Sequence, residues 1–190
     1  VLARLLVEKV TGRAYAEQMQ ARILRPLGLS GTLVPDASPD IPEPHAHGYY
    51  RYQDGQEWKT VDTTGFNPSW ISAAGDMIST TEDLHTFFSA LNSGRLLPAP
   101  LLAEMRKPDP TIGYGLGVFV QDTEDGILLH HNGGFWGWAA LMYSTPDGGK
   151  TLTASVTTGE AELDVVAMSE AFEKVKQKLV TAVFRDEQTG

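Results

Sequence analysis

The chain has 190 residues, 42% of them hydrophobic, enough for one domain with a sizeable core. Asp and Glu outnumber Lys and Arg by 24 to 15, a formal net charge of −9 with no basic block, which removes the counterion-release term that nucleic-acid and anionic-membrane binding need. Without any Cys, disulfide scaffolds, thiolate metal sites and cysteine nucleophiles are excluded together, and no apolar run approaches the roughly 20 residues of a membrane helix.

Leu2, Leu5, Leu6 and Val10 stand at helical spacing from the first residues, without an N-capping Ser, Thr, Asp or Asn before them. This reads as a helix entered midway, and the expectation is the C-terminal part of a longer protein. Gly12 should end that helix; a second is expected over 14–24, closed by Pro26-Leu27-Gly28. Four prolines between Val34 and Pro44 mark an irregular stretch, and Asp54-Gly55 between two aromatic-rich runs predicts a small hairpin.

Thr80 and Asp83 have capping-box spacing, followed by Leu84, Phe87, Phe88 and Leu91 at i, i+3, i+4, i+7 up to Gly94. A short helix is expected over 100–106. Four β-rich segments then follow, at 116–121, 126–131, 138–144 and 151–157, separated by turn signals and most simply joined as an antiparallel meander. A last helix over 162–184, with Met168, Phe172, Val175 and Leu179 on one face, should cover that sheet. The fold class read from this pattern is α+β: residues 1–107 mainly helical with a hairpin, residues 108–190 sheet strands plus a helix.

The densest cluster of unusual residues is His130-His131-Asn132-Gly133-Gly134-Phe135-Trp136-Gly137-Trp138, placed where a strand ends or bends. His131-Asn132-Gly133, with Gly137 four residues after Gly133 and an aromatic next, resembles the H-x-G form of the third motif of serine β-lactamases and penicillin-binding proteins, which is Lys-Thr-Gly in most relatives. Glu8-Lys9-Val10-Thr11-Gly12, Pro26-Leu27-Gly28-Leu29, Ala46-His47-Gly48-Tyr49, Ala73-Ala74-Gly75-Asp76 through Asp83-Leu84, and Tyr114-Gly115-Leu116-Gly117 resemble landmarks of the class C β-lactamase and D-alanyl-D-alanine carboxypeptidase branch, in their usual order.

The resemblance implies a β-lactamase/transpeptidase-like fold and a serine hydrolase working through an acyl-enzyme on an amide or ester. In that family a Ser-x-x-Lys nucleophile and a Tyr-x-Asn motif precede the segment resembling residues 1–10; neither pattern occurs in the 190 residues. The roles implied here are those of one wall of a cleft. His131 would supply positive potential and a hydrogen bond, Asn132 its amide, Gly133 room for substrate backbone, Trp136 a cleft lining, and the Gly134 N–H half of an oxyanion hole. No cofactor or metal is implied. Asn132 in place of the more frequent Thr or Ser, and Val118-Phe119-Val120 where some relatives carry a carboxylate-binding Arg, leave an esterase or a peptidase with a less acidic substrate as open as a cell-wall carboxypeptidase.

Other readings stand beside these. His131 also reads as an ordinary strand histidine, His45 and His47 as loop residues rather than zinc ligands, and Ser69 and Ser72 as serines without an activating Lys. Tyr49, Tyr50, Tyr52 and Trp58 read as cross-strand pairs holding the hairpin or as an aromatic platform. The different class of function is a non-catalytic binding or assembly fragment. Its partners would be the missing N-terminal half or a second copy joined through strand 151–157, which has no internal Lys or Pro to discourage pairing. The resemblance implies secretion or the cell envelope.

Overall fold

The computed structural model describes residues 1–159 and 165–185. Helix α1, Leu2–Thr11, stops where Gly12 takes the left-handed conformation (φ 66°) and donates its N–H to the Glu8 carbonyl. Its apolar stripe is open: Leu2, Leu5, Leu6 and Val10 are all exposed. The second helical rod changes character along its length, from α2, Tyr15–Met19, through a π-helical turn, Gln20–Leu24, into α3, Arg25–Leu27. Pro26 accounts for the widened turn, because it lacks the N–H for the carbonyl four residues back and its ring would crowd that group.

Strands β1, Tyr49–Asp54, and β2, Glu57–Asp62, form the expected hairpin, with the turn one residue later than expected, at Gly55-Gln56. Helix α4, Thr81–Asn92, is capped as its sequence predicts: the Thr80 hydroxyl accepts from the Asp83 N–H at 3.1 Å. The buried Asp83 carboxylate in turn accepts from Thr32 at 2.6 Å, which ties α4 to the preceding loop. Helix α5, Ala99–Met105, follows.

The sheet is the expected antiparallel meander, in the order β3, Phe119–Thr123, β4, Gly126–Phe135, β5, Trp138–Ser144, and β6, Thr151–Thr157. Three strand limits differ from the expectation, the first strand also running two residues further, to Thr123. The first strand starts at Phe119, because Gly115 and Gly117 turn the chain ahead of it, with Gly115 N–H bonded to the Val118 carbonyl at 2.7 Å. The second continues four residues past His131 and carries the whole motif.

Strand alternation sends the sheet's residues to two cores. Leu128, Leu141 and Tyr143 meet Phe172, Val180, Val183 and Phe184 of α6, Val165–Phe184, while Leu129 and Met142 meet Phe87, Phe88 and Leu91 of α4 and Met105 of α5. The sheet is therefore a middle layer between helices, which confirms an α+β architecture. On α6 the packed face is displaced from the expected one: Val175 is exposed, and Val180, Val183 and Phe184 face the sheet instead. The expected start at Glu162 and the side chain of Met168 lie outside the described residues.

Candidate active site

β4 is the strand around which the site is built, and its two halves have different neighbours. β3 pairs with it only from Gly126 to His130, the last partners being Phe119 and His130. From His131 to Phe135 β4 pairs with β5 alone among the described residues, so one of its edges is open over the motif.

The direction of each backbone group at that edge follows from the turn. Phe135 and Trp138 flank a two-residue turn, Trp136-Gly137, with φ of 20° and 91°, both positive as a primed hairpin turn requires. The residues flanking such a turn bond to each other, so Phe135 directs its N–H and C=O toward β5. By alternation Gly134 and Asn132 direct theirs to the open edge. The β3–β4 hairpin gives the same parity independently: Thr123 and Gly126 flank its turn, which makes His130 face β3.

Side chains alternate as well, and the sequence-selected residues separate accordingly. His131, Gly133 and Phe135 lie on the face toward α4, His130 and Asn132 on the face toward α6. His131 is half-buried, with its ring 6.0 Å from Tyr114 and 6.1 Å from Phe119. Gly133 and Gly134 are exposed, and a Cβ on Gly133 would meet nothing within 4 Å, so the strand has an open notch between His131 and Phe135.

Asn132 does not join this face. Its amide donates to the Tyr143 hydroxyl at 3.1 Å on the α6 side, so its expected side-chain contact with substrate is replaced by a contact inside the protein. The reason is strand parity: β4 continues through the motif, and neighbours in a strand cannot share a face.

His130, adjacent in sequence to His131, is in the opposite environment. It is stacked between Phe119 (5.1 Å) and Tyr143 (4.7 Å), its Nδ1 is buried without a hydrogen bond, and burial lowers its pKa from 6.5 to about 4, with the charges of Lys176 and His131 acting in the same sense. It is a neutral core histidine at physiological pH.

The turn is pinned to the β1–β2 hairpin at several points. The Thr63 hydroxyl lies 2.6 Å from the Trp136 carbonyl and 2.9 Å from that of Gly48, its single proton shared between them. Thr158 donates its N–H to Gly137 and accepts from Tyr49. Gly137 needs to be glycine twice over, since a Cβ there would stand 2.5 Å from the Tyr49 carbonyl oxygen and its φ is positive.

Around Trp136 the structure assembles Tyr50, Phe66, Trp70 and Phe135, with ring centroids 4.9 to 5.7 Å from its own. Of these, Phe66, Trp70 and Phe135 were not singled out from sequence as site residues; Phe135 was legible through its alternation with His131. Three of the hairpin aromatics part company: Tyr50 packs on Trp136, Tyr49 on His47, and Trp58 lies under the Arg51 guanidinium at 4.9 Å.

Two of the remaining candidates, His47 and Ser72, have structural partners. His47 Nδ1 is 2.8 Å from Asp62, whose carboxyl is lowered to about 2 by its bonds with Thr64 and His47. Ser72 accepts from Arg4 at 3.1 Å. Among the described residues no group of three or more His, Cys, Asp or Glu could hold a metal ion.

The arrangement presents one outward backbone N–H at an exposed glycine, an imidazole beside it and an aromatic wall beyond. It is suited to aligning an extended substrate and holding a carbonyl oxygen that gains negative charge. No Ser-x-x-Lys pattern in the chain provides the attacking hydroxyl.

The chain is similar to known proteins over most of its length. The chain is 35% identical to a D-stereospecific amidohydrolase from Streptomyces sp., with a TM-score of 0.81 over 97% of this chain and 52% of that one. It is 28% identical to the D-amino acid amidase from Ochrobactrum anthropi SV3 in its complex with D-phenylalanine, with a TM-score of 0.77 over 97% of this chain and 56% of that one. Penicillin-binding protein 4* of Bacillus subtilis (strain 168) is 28% identical over 165 residues, 80% of this chain and 37% of that protein. The chain thus spans about half the length of the solved relatives and less of the curated one. The Beta-lactamase family model matches residues 1–174, and the chain belongs to that family of serine hydrolases and penicillin-binding proteins.

Proposed function

We propose that this chain forms the substrate-binding and oxyanion wall of a serine hydrolase that works through an acyl-enzyme, with the nucleophile supplied from outside these 190 residues. The observation that carries the reading is the open β4 edge, where the exposed Gly134 turns its N–H outward beside His131. A serine hydroxyl attacks the substrate carbonyl, the oxygen becomes an oxyanion held by Gly134 N–H and the nucleophile's own N–H, and the amine or alcohol leaves with a proton. Water then attacks the ester and releases the acid, returning the proton to the serine. His131 contributes its ring as a hydrogen-bonding group on the face of the strand toward α4. Asn132 contributes through its backbone groups at the edge, and Gly133 through the open notch.

The relatives named as a D-stereospecific amidohydrolase and a D-amino acid amidase make an amide of a D-amino acid the first substrate class to assay. The penicillin-binding relative supports a place at the cell envelope, and no helix among the described residues is long and apolar enough to cross a membrane.

Labelling by a fluorescent penicillin and a fluorophosphonate, read by intact mass, tests the reading on this chain alone and joined to a preceding half that carries Ser-x-x-Lys. Label on the joined protein only is the expected result. Label on the isolated chain places the nucleophile among these residues and overturns the assignment, as does a joined protein that takes neither reagent.

A second reading concerns partners. β6 pairs with β5 alone among the described residues and has no Lys or Pro within it, so its outer edge is a template for another strand. The strand added there comes from the preceding half or from a second copy; light scattering showing a stable monomer of the isolated chain would remove both.

A further inference from the structure

We infer that Tyr143 is a positioning residue for the oxyanion donor: its hydroxyl, acting through the side chain of Asn132, holds the free half of β4 at the tilt that aims Gly134 N–H at the substrate carbonyl. The inference rests on the β4 edge being the oxyanion wall, and it names what keeps that edge in place. A strand paired on both sides is fixed by two ladders, but from His131 to Phe135 β4 has the β5 ladder alone among the described residues. One ladder sets register and spacing and leaves the strand free to tilt about it. Side chains must resist the tilt, and Gly133 and Gly134 have none.

On the α6 face alternation reduces the choice to one. Asn132 and Gly134 point that way, so the Asn132 amide is the only side chain of the free half that reaches the α6 layer. It bonds not to its paired neighbour Leu141 but to Tyr143, which stands opposite His130 and reaches the Asn132 Nδ2 diagonally, at 3.1 Å. Tyr143 is a firm post. It is 3% exposed, packed with Leu128, Leu141 and Phe184, and stacked on His130 at 4.7 Å.

The contact is a poor device for stability alone. Asn132 Oδ1 is buried with no hydrogen bond, so an apolar pair of similar shape in place of Asn132 and Tyr143 would be neutral or stabilising. What an apolar pair lacks is direction: a hydrogen bond fixes distance and angle between strand and post, whereas apolar groups slide over each other. The backbone groups of Asn132 and Gly134 share the open edge, two residues apart, so a tilt at Asn132 moves the donor off its target.

The test compares Tyr143→Phe, Asn132→Leu and the two combined. In the joined protein that carries Ser-x-x-Lys, acylation by a fluorescent penicillin is followed over reagent concentration. Each single variant should lower the limiting acylation rate about ten- to 100-fold with the half-saturating concentration little changed. The double variant should lose no more than the worse single one, because both remove the same contact, and should melt no lower than the unsubstituted protein. In the 190-residue chain itself, Tyr143→Phe should shift or broaden the backbone amide resonances of Gly133 and Gly134 and leave those of Val120 and Leu129, where β3 pairs with β4, in place. An unchanged limiting rate in Tyr143→Phe, additive losses or a lower melting temperature in the double variant, or unmoved glycine resonances overturn the inference and leave the acyl-enzyme reading standing. An unsubstituted joined protein that takes no label overturns the acyl-enzyme reading; the glycine resonances then decide the brace by themselves, which stands as the support of the edge if they move and falls if they do not.

Discussion

The two halves of β4 share one backbone and differ in almost everything else. From Gly126 to His130 the strand pairs with β3, and from Leu129 with β5 as well, with Leu128 and Leu129 buried in opposite cores. From His131 to Phe135 it keeps β5, loses β3 and has glycines exposed where the first half has leucines. The difference teaches that the anchoring half holds the strand in register while the free half, having no strand of its own to bond, is left with donors to offer.

Substitutions in each half test that division. The largest expected loss of stability is for Leu129→Ala, which opens a cavity where β4 is paired with both β3 and β5: about 2–5 kcal/mol by urea denaturation of the chain. A cost below about 1 kcal/mol would mean that the core collapses around the gap and that β4 is not anchored there. Gly134→Pro removes the outward N–H without touching the β5 pairing, so acylation of the joined protein should fall about 100- to 1,000-fold while the melting temperature changes little. Equal rates in the variant would take Gly134 out of the oxyanion role.

Smaller effects sharpen the comparison at the strand's end and on its other face. Thr63→Val strips the proton shared by the Trp136 and Gly48 carbonyls; about 1–3 kcal/mol should be lost, with a change in indole emission as the turn loosens. His130 gives the mildest test. Its pKa is lower in the folded chain, about 4, than its ordinary 6.5, so the unfolded chain takes up the proton first on acidification. The stability contributed by the neutral ring is complete above about pH 6.5 and is lost as the pH falls toward 4. His130→Phe, which keeps the aromatic stack, should flatten the fall of melting temperature over that window, and an unchanged slope would assign the acid sensitivity elsewhere.

How much of this was legible in the sequence depended on how local the signal was. The Thr80 cap, the Gly12 terminus and the meander are written in spacings of a few residues, and all three are in the structure. The extension of β4 beyond His131 was missed because glycines at 133 and 134 look like a strand's end, whereas here they are strand residues without side chains. Once that extension is known, alternation alone removes Asn132 from the face of His131. The aromatic assembly had no local signal, since Tyr50, Phe66, Trp70 and Trp136 come from four separate segments that only the pinned turn brings together. Val175 was assigned to the packed face of α6 by period, but the residues facing the sheet are set by where the helix crosses it.

The β1–β2 hairpin is clamped at its base, at Gly48, Tyr49 and Thr63, and bare at its tip, where Gly55 turns the chain with no atom within 4 Å of where a Cβ would be. Mechanically it is a cantilever about 20 Å long, six residues a strand at about 3.3 Å each. A fluorophore or a paramagnetic tag inserted at Gly55-Gln56 would ride on an arm whose root is bonded to the β4–β5 turn. It would offer a distance ruler to whatever segment completes the site, set far enough from the wall to leave its chemistry alone.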